Sequence, residues 1–185
     1  NYEKAIQLKP DFAEAYNNFG ITLKEIKKFD ESIKNYEKAI QLKPDFAEAY
    51  NNFGITLKEI KKFDESIKNY EKAIQLKPDF AEAYNNIGVA FKELKQFDES
   101  IKNYDKAIQI NPNYAEAYYN YGNLLVETQK IKAAIINYKK AIELNTIYYE
   151  AYNNLGNLLK DIVQISESQR YLDKLIGLKP DHIGY

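Results

Sequence analysis

The chain has no cysteine, one histidine, almost no net charge and no long apolar run, and each shortage removes a class of function. Without cysteine there are no disulfides and no thiolate metal sites, although that count fits reducing and extracellular settings alike. The compartment stays open, with the cytoplasm as the default. His182 offers no His pair for a metal, and it stands where other segments carry Phe46, Phe80, Tyr114 and Tyr148, so its ordinary role is packing. The 26 basic and 27 acidic residues leave a net charge of -1, and no long-range field draws in nucleic acid or an anionic membrane. No apolar stretch reaches about 18 residues and no signal-like start is present. The seven glycines form no cluster ahead of a helix of the kind a phosphate needs. Expected from these shortages are no enzyme activity, no cofactor, no metal, no nucleic-acid partner and no membrane insertion.

What the sequence does have is recurrence. Tyr16, Tyr50, Tyr84, Tyr118 and Tyr152 stand 34 residues apart, and their surroundings recur with them. The full units are 13–46, 47–80, 81–114, 115–148 and 149–182, of which the first two are identical at every position. Residues 1–12 match 35–46 and read as a half unit, while 183–185 read as the start of another. Both ends read as cuts within a longer array. With 45% hydrophobic and 29% charged residues, the chain has apolar material for a continuous core and is not of disordered composition.

Within a unit, Tyr16, Phe19, Gly20, Leu23 and Ile26 fall on one helical face, and Phe29, Ser32, Ile33, Tyr36, Ala39, Ile40 and Leu42 fall on a second. The short polar Lys27-Lys28 separates them, and Pro44 ends the second helix by removing a donor and biasing Lys43 out of the helical region. Asp45 with Glu48 has the form of a capping box, repeated as Asp11 with Glu14, Asp79 with Glu82 and Asn113 with Glu116. Each unit is therefore expected to be a helix-turn-helix hairpin. Gly20, Gly54, Gly88, Gly122 and Gly156 lie inside the first helices, where glycine costs about 0.5–1 kcal/mol relative to alanine, so close helix packing is expected to offset it.

The set Tyr16, Phe19-Gly20, Leu23, Ser32, Tyr36, Ala39 and Pro44 in a 34-residue unit resembles the tetratricopeptide repeat family over essentially the whole chain. The resemblance implies an all-α fold, a right-handed superhelical solenoid of stacked antiparallel helix-turn-helix repeats. Thr146 in place of the closing proline, Lys132 in place of an acidic residue and Leu175 in place of the Ala39-type residue are departures that put local geometry in doubt.

In that family the first helices line a concave groove, and the resemblance places Glu14, Asn17, Asn18, Ile21, Lys24 and Glu25 there in the first unit. Asparagine recurs on this face as Asn17, Asn18, Asn51, Asn52, Asn85, Asn86, Asn120, Asn153 and Asn154. An amide both donates and accepts, so such a column can hold the backbone of an extended peptide without reading its side chains. Lys24, Lys58 and Lys92 with Glu48 and Glu82 complete the expected peptide-binding groove. Units of this form are also similar to those of O-GlcNAc transferases. The family's two-carboxylate clamp is disfavoured, because Glu14, Glu48, Glu82, Glu116 and Glu150 put acid where it needs a base. The expected function is a non-catalytic scaffold binding a protein or peptide segment. Two alternatives stand beside it: the substrate-selecting region of a larger glycosyltransferase-like enzyme, and end-to-end homo-association of uncapped repeats.

Overall fold

Ten helices carry the described part of the chain: α1 (Ala13–Glu25), α2 (Phe29–Leu42), α3 (Ala47–Glu59), α4 (Phe63–Leu76), α5 (Ala81–Glu93), α6 (Phe97–Ile110), α7 (Ala115–Glu127), α8 (Ile131–Leu144), α9 (Tyr149–Asp161) and α10 (Ile165–Leu178). The computed structural model describes residues 6, 8–162 and 165–178, and among these there is no strand. The half unit expected over 1–12 lies partly outside the described residues, as do His182 and the start of a further unit at 183–185; Ile6 and Leu8 are helical. The chain divides into two compact units, the first ending at Lys106 and the second beginning at Ala107. In the first, α1 packs on α2 and α3 on α4 as hairpins, and α2 on α3 and α4 on α5 join successive repeats. In the second, α7, α8, α9 and α10 pack each on the next. The all-α hairpin repeat read from the 34-residue period is what the structure contains.

Each described hairpin closes on a glycine and a large side chain of the second helix, a tyrosine in all but the last. A Cβ built on Gly20, Gly54 or Gly88 would lie 2.7, 2.6 or 2.7 Å from the Cε1 of Tyr36, Tyr70 or Tyr104, so only glycine admits the ring. These three tyrosines are fully buried. The approach also brings Ser32, Ser66 and Ser100 close enough for their hydroxyls to donate to the carbonyls of Gly20, Gly54 and Gly88, at 2.7, 2.9 and 2.6 Å. In the second unit Gly122 faces Tyr138 and Gly156 faces Leu172 in the same manner, and Ser168 repeats the bond to Gly156 at 2.8 Å. Ala134 stands at the serine place of α8 and packs there fully buried.

The turn between paired helices corrects one expectation. Ile26 does not join the apolar face; it caps α1 and is 60% exposed. The chain reverses because Lys27 adopts φ 61°, which lets its amide reach the Lys24 carbonyl at 2.8 Å and the Lys28 amide reach Leu23 at 2.9 Å. Lys61, Lys95 and Gln129 repeat this left-handed conformation at φ 63°, 61° and 59°. The capping boxes are a second correction. The residues before α1, α3 and α5 are Phe12, Phe46 and Phe80, with no side-chain cap, and the same holds for Tyr114 and Tyr148 before α7 and α9. Asp45 and Asp79 contribute main-chain carbonyls to the turn instead, accepting from Ala47 at 3.1 Å and Ala81 at 3.0 Å. At the Thr146 departure the hairpin geometry is kept, because the Asn145 side chain accepts from the Ile147 amide at 3.1 Å and closes the turn that proline shapes elsewhere.

Three outcomes follow from this packing. Gly54→Ala gains helix propensity but drives a methyl into a ring that has nowhere to move, and should lower stability by about 1–2 kcal/mol in denaturant titration. Lys61→Gly relieves a side chain held at positive φ and should raise stability by roughly 0.5–1 kcal/mol in denaturant titration. The third concerns pH. Burial raises the Tyr36 and Tyr70 hydroxyls above their usual range and pushes Tyr138 up to about 12. A raised folded pKa contributes stability that is complete below the unfolded value near 10 and is lost as pH climbs above it. Alkaline titration should therefore show a class of tyrosines whose tyrosinate absorbance appears only together with loss of helical circular dichroism.

Candidate functional site

The first helices of the first unit bring their asparagines together as a ladder between repeats. Asn52 Nδ2 donates to Asn17 Oδ1 at 3.0 Å, and Asn86 Nδ2 donates to Asn51 Oδ1 at 3.1 Å. The amide of one repeat thus ties to the amide of the repeat before it. Asn17 also donates to Asn18 at 3.2 Å and Asn51 to the Glu82 carboxylate at 2.9 Å. Burial follows this pattern. Asn17, Asn51, Asn85 and Asn86 are 5%, 2%, 0% and 5% exposed, Asn52 is half-buried and Asn18 is exposed. A buried amide left unpaired would cost about 1–3 kcal/mol, which explains why Asn17, Asn51 and Asn86 each bond to a neighbouring side chain.

Around the ladder the charges are paired along the array. Lys24 reaches Glu59 of the next repeat at 3.7 Å, and Lys92 lies 3.1 Å from Glu93. Lys58 is half-buried at the same place on α3. The glutamates at the helix starts take lysines: Glu14 binds Lys43 and Glu48 binds Lys77, each at 3.0 Å. The hydrogen bond from Lys43 holds the Glu14 carboxyl below its ordinary range, and Lys77 does the same for Glu48. Between these groups Ile21, Ile55 and Val89 are half-buried and form the apolar part of the surface.

The second unit carries the same face with different chemistry. Tyr119 replaces the first asparagine, Asn123 stands where Ile21, Ile55 and Val89 stand, and Asn157 follows it one repeat later. Asn154 Nδ2 reaches Asn123 Oδ1 at 2.9 Å and the Tyr119 hydroxyl at 3.3 Å, and Tyr138 donates to Asn123 Oδ1 at 2.8 Å. This partner matters, since the buried Tyr36 and Tyr70 hydroxyls have none: Ser32 and Thr56 lie beside Tyr36, and Ser66 beside Tyr70, without hydrogen-bond geometry. Asn120 is half-buried, and Asn153 is exposed and accepts from Asn157 at 3.3 Å. A cleft of about 270 Å³ opens among Asn123, Val126, Tyr138, Asn154, Asn157, Leu158 and Asp161. Sequence reading passed over Asn123, Val126, Asn157 and Asp161, although the first two break the repeat at the places of Ile21 and Lys24 and so carry a visible signal.

Among the described residues no group of three His, Asp or Glu side chains could hold a metal ion, and no helix is long and apolar enough to cross a membrane.

Tetratricopeptide repeat models match residues 81–114, 1–34 with 103–136, and 149–182. A further model, TPR repeat, matches 23–61, 56–95 and 122–162. No curated protein matches the chain. Similar solved structures include YrrB, described as a TPR protein with an unusual peptide-binding site, at 23% identity and TM-score 0.66, covering 99% of this chain and 94% of that one. A structure of MamA is 25% identical with TM-score 0.74, covering 90% and 97%. MamA from Desulfovibrio magneticus RS-1, residue 41 to the end, is 17% identical with the same TM-score of 0.74, covering 93% and 97%. With the hairpin period, the glycine and tyrosine closure and these matches agreeing along the sequence, the chain belongs to the tetratricopeptide repeat family.

Proposed function

We propose that the chain is a non-catalytic interaction scaffold that binds an extended protein segment along the surface of its first helices. The observation that carries this reading is the asparagine ladder. Each amide in it is held in place by a neighbour, yet Asn18 is exposed and Asn52 spends one donor on Asn17 and keeps its carbonyl oxygen. Amides fixed before binding lose little entropy when a peptide arrives, and a run of them at one spacing suits a peptide main chain. Ile21, Ile55 and Val89 add apolar contact beside them. YrrB, whose description names a peptide-binding site, lends support at the level of shared fold. The same surface would serve the second reading, a substrate-selecting array of a larger glycosyltransferase-like enzyme, because that role also asks for sequence-tolerant grip on a segment.

The test is affinity for peptides taken from an unbiased display selection. Replacing Asn52, Asn86 and Asn120 together by alanine removes amides worth on the order of 1 kcal/mol each, and should weaken binding at least tenfold. Circular dichroism at the assay temperature must show the variant folded, since two of these residues also tie repeats together. Lys34→Ala with Lys68→Ala, on the second helices, should leave affinity unchanged. Equal affinity of parent and asparagine variant, or selected peptides that protect the second helices from hydrogen exchange, would exclude this surface.

A further inference from the structure

In the cleft of the second unit the first-helix surface departs from the residues that stand at the same places in the first unit. In the first unit Lys24 of one repeat meets Glu59 of the next at 3.7 Å, beside Ile21 and Ile55. The corresponding four residues in the second unit are Val126, Asp161, Asn123 and Asn157. All four line the cleft. The lysine has become a short valine, so the acid one repeat on has lost its cation, and among the described residues Asp161 has no ion-pair partner. Both isoleucines have become amides. Three changes at one spot thus turn an ion-paired, apolar surface into an open polar cleft with an uncompensated carboxylate.

The amides in it are oriented. Asn123 Oδ1 accepts from both the Tyr138 hydroxyl and Asn154 Nδ2, which uses its two lone pairs and leaves its Nδ2 hydrogens for a ligand. Asn157 commits Nδ2 to Asn153, which leaves its oxygen as an acceptor. The oxygens of Asn154 and Asn157, with the Asp161 carboxylate, suit a donor-rich cation, and Asn123 Nδ2 suits a carbonyl.

We infer that this cleft is a subsite for a basic side chain, best an arginine, of the bound segment, with Asp161 and the Asn157 oxygen taking the guanidinium and Asn123 Nδ2 taking a main-chain carbonyl beside it. The occupant restores the charge that Lys24 supplies in the first unit. A planar fork of donors matches several acceptors better than a point charge does, so arginine is preferred to lysine. The subsite rests on the groove reading above and gives that otherwise sequence-tolerant surface one position of side-chain choice.

The test uses the full chain and four blocked alanine-serine decapeptides that carry arginine, lysine, citrulline or glutamate at the centre. Affinity is read by fluorescence anisotropy, and placement by the side-chain amide resonances of Asn123, Asn154 and Asn157. The arginine peptide should bind about five- to tenfold tighter than its uncharged citrulline counterpart and shift those three resonances. Val126→Lys, which reinstates the lysine of the other repeats, and Asp161→Asn should each bring that ratio close to one. Peptides that all bind alike, a preference for glutamate, or an arginine preference that survives both variants would overturn the subsite while leaving the groove in place. Failure of every decapeptide to shift any first-helix resonance would remove the groove and the subsite together.

Discussion

The contact between an in-helix glycine and the tyrosine sixteen residues later sets how closely the two helices of a hairpin can approach, and the rest of the repeat depends on that distance. With Gly20 under the Tyr36 ring, the Ser32 hydroxyl reaches the glycine carbonyl, and the small Ala39 packs with no exposed surface. A ring held this way has little freedom to repack, because interiors are close-packed and a methyl has no void to occupy. The tyrosine then takes part in joining repeats, as the stacking of Tyr36 on Phe53 at 6.1 Å shows. Where the tyrosine is absent, at Leu172, the leucine fills the same place over Gly156 and the serine bond persists.

The asparagines serve register between repeats, and the recognition proposed for them would use what the ladder leaves over. The ladder from Asn52 to Asn17 and from Asn86 to Asn51 fixes one repeat against the next through directional bonds, which apolar packing alone does not supply. What remains for a ligand is the part of each amide the ladder does not use. The groove expected from an asparagine column is consequently shallower than a count of asparagines suggests, since Asn17, Asn51 and Asn85 are buried. Their neighbours Asn18 and Asn52, with Ile21, Ile55 and Val89, make up the accessible surface.

Repetition makes departures informative. Two identical repeats define what the packing requires, so a change that leaves the glycine and tyrosine closure intact is released from that requirement. Asn123 is such a change. It gives the buried Tyr138 hydroxyl an acceptor that Tyr36 and Tyr70 lack, and by doing so aims its own donor outward. Val126 and Asn157 change at the same surface, and the cleft results from the three together.

Helix pairing, the 34-residue period and the packing role of the glycines were legible in the residues, because each depends on local spacing and on volume that a single position declares. Ile26 was misplaced because the 3.6-residue rhythm runs on through a residue that the left-handed Lys27 turns out of the helix, and Lys27 carries no sequence sign of positive φ. The capping boxes were misread for a related reason: Glu14 and Glu48 have lysines nearby only after the hairpin folds, and Lys43 and Lys77 lie 29 residues away along the chain. By itself the sequence determined the fold and the face that first helices present. Only the tertiary structure decided which amides are spent and which are free, and that Asp161 faces Val126 where Glu59 faces Lys24, because hydrogen-bond partners and counter-ions are chosen by residues about one repeat apart that the chain brings together only on stacking.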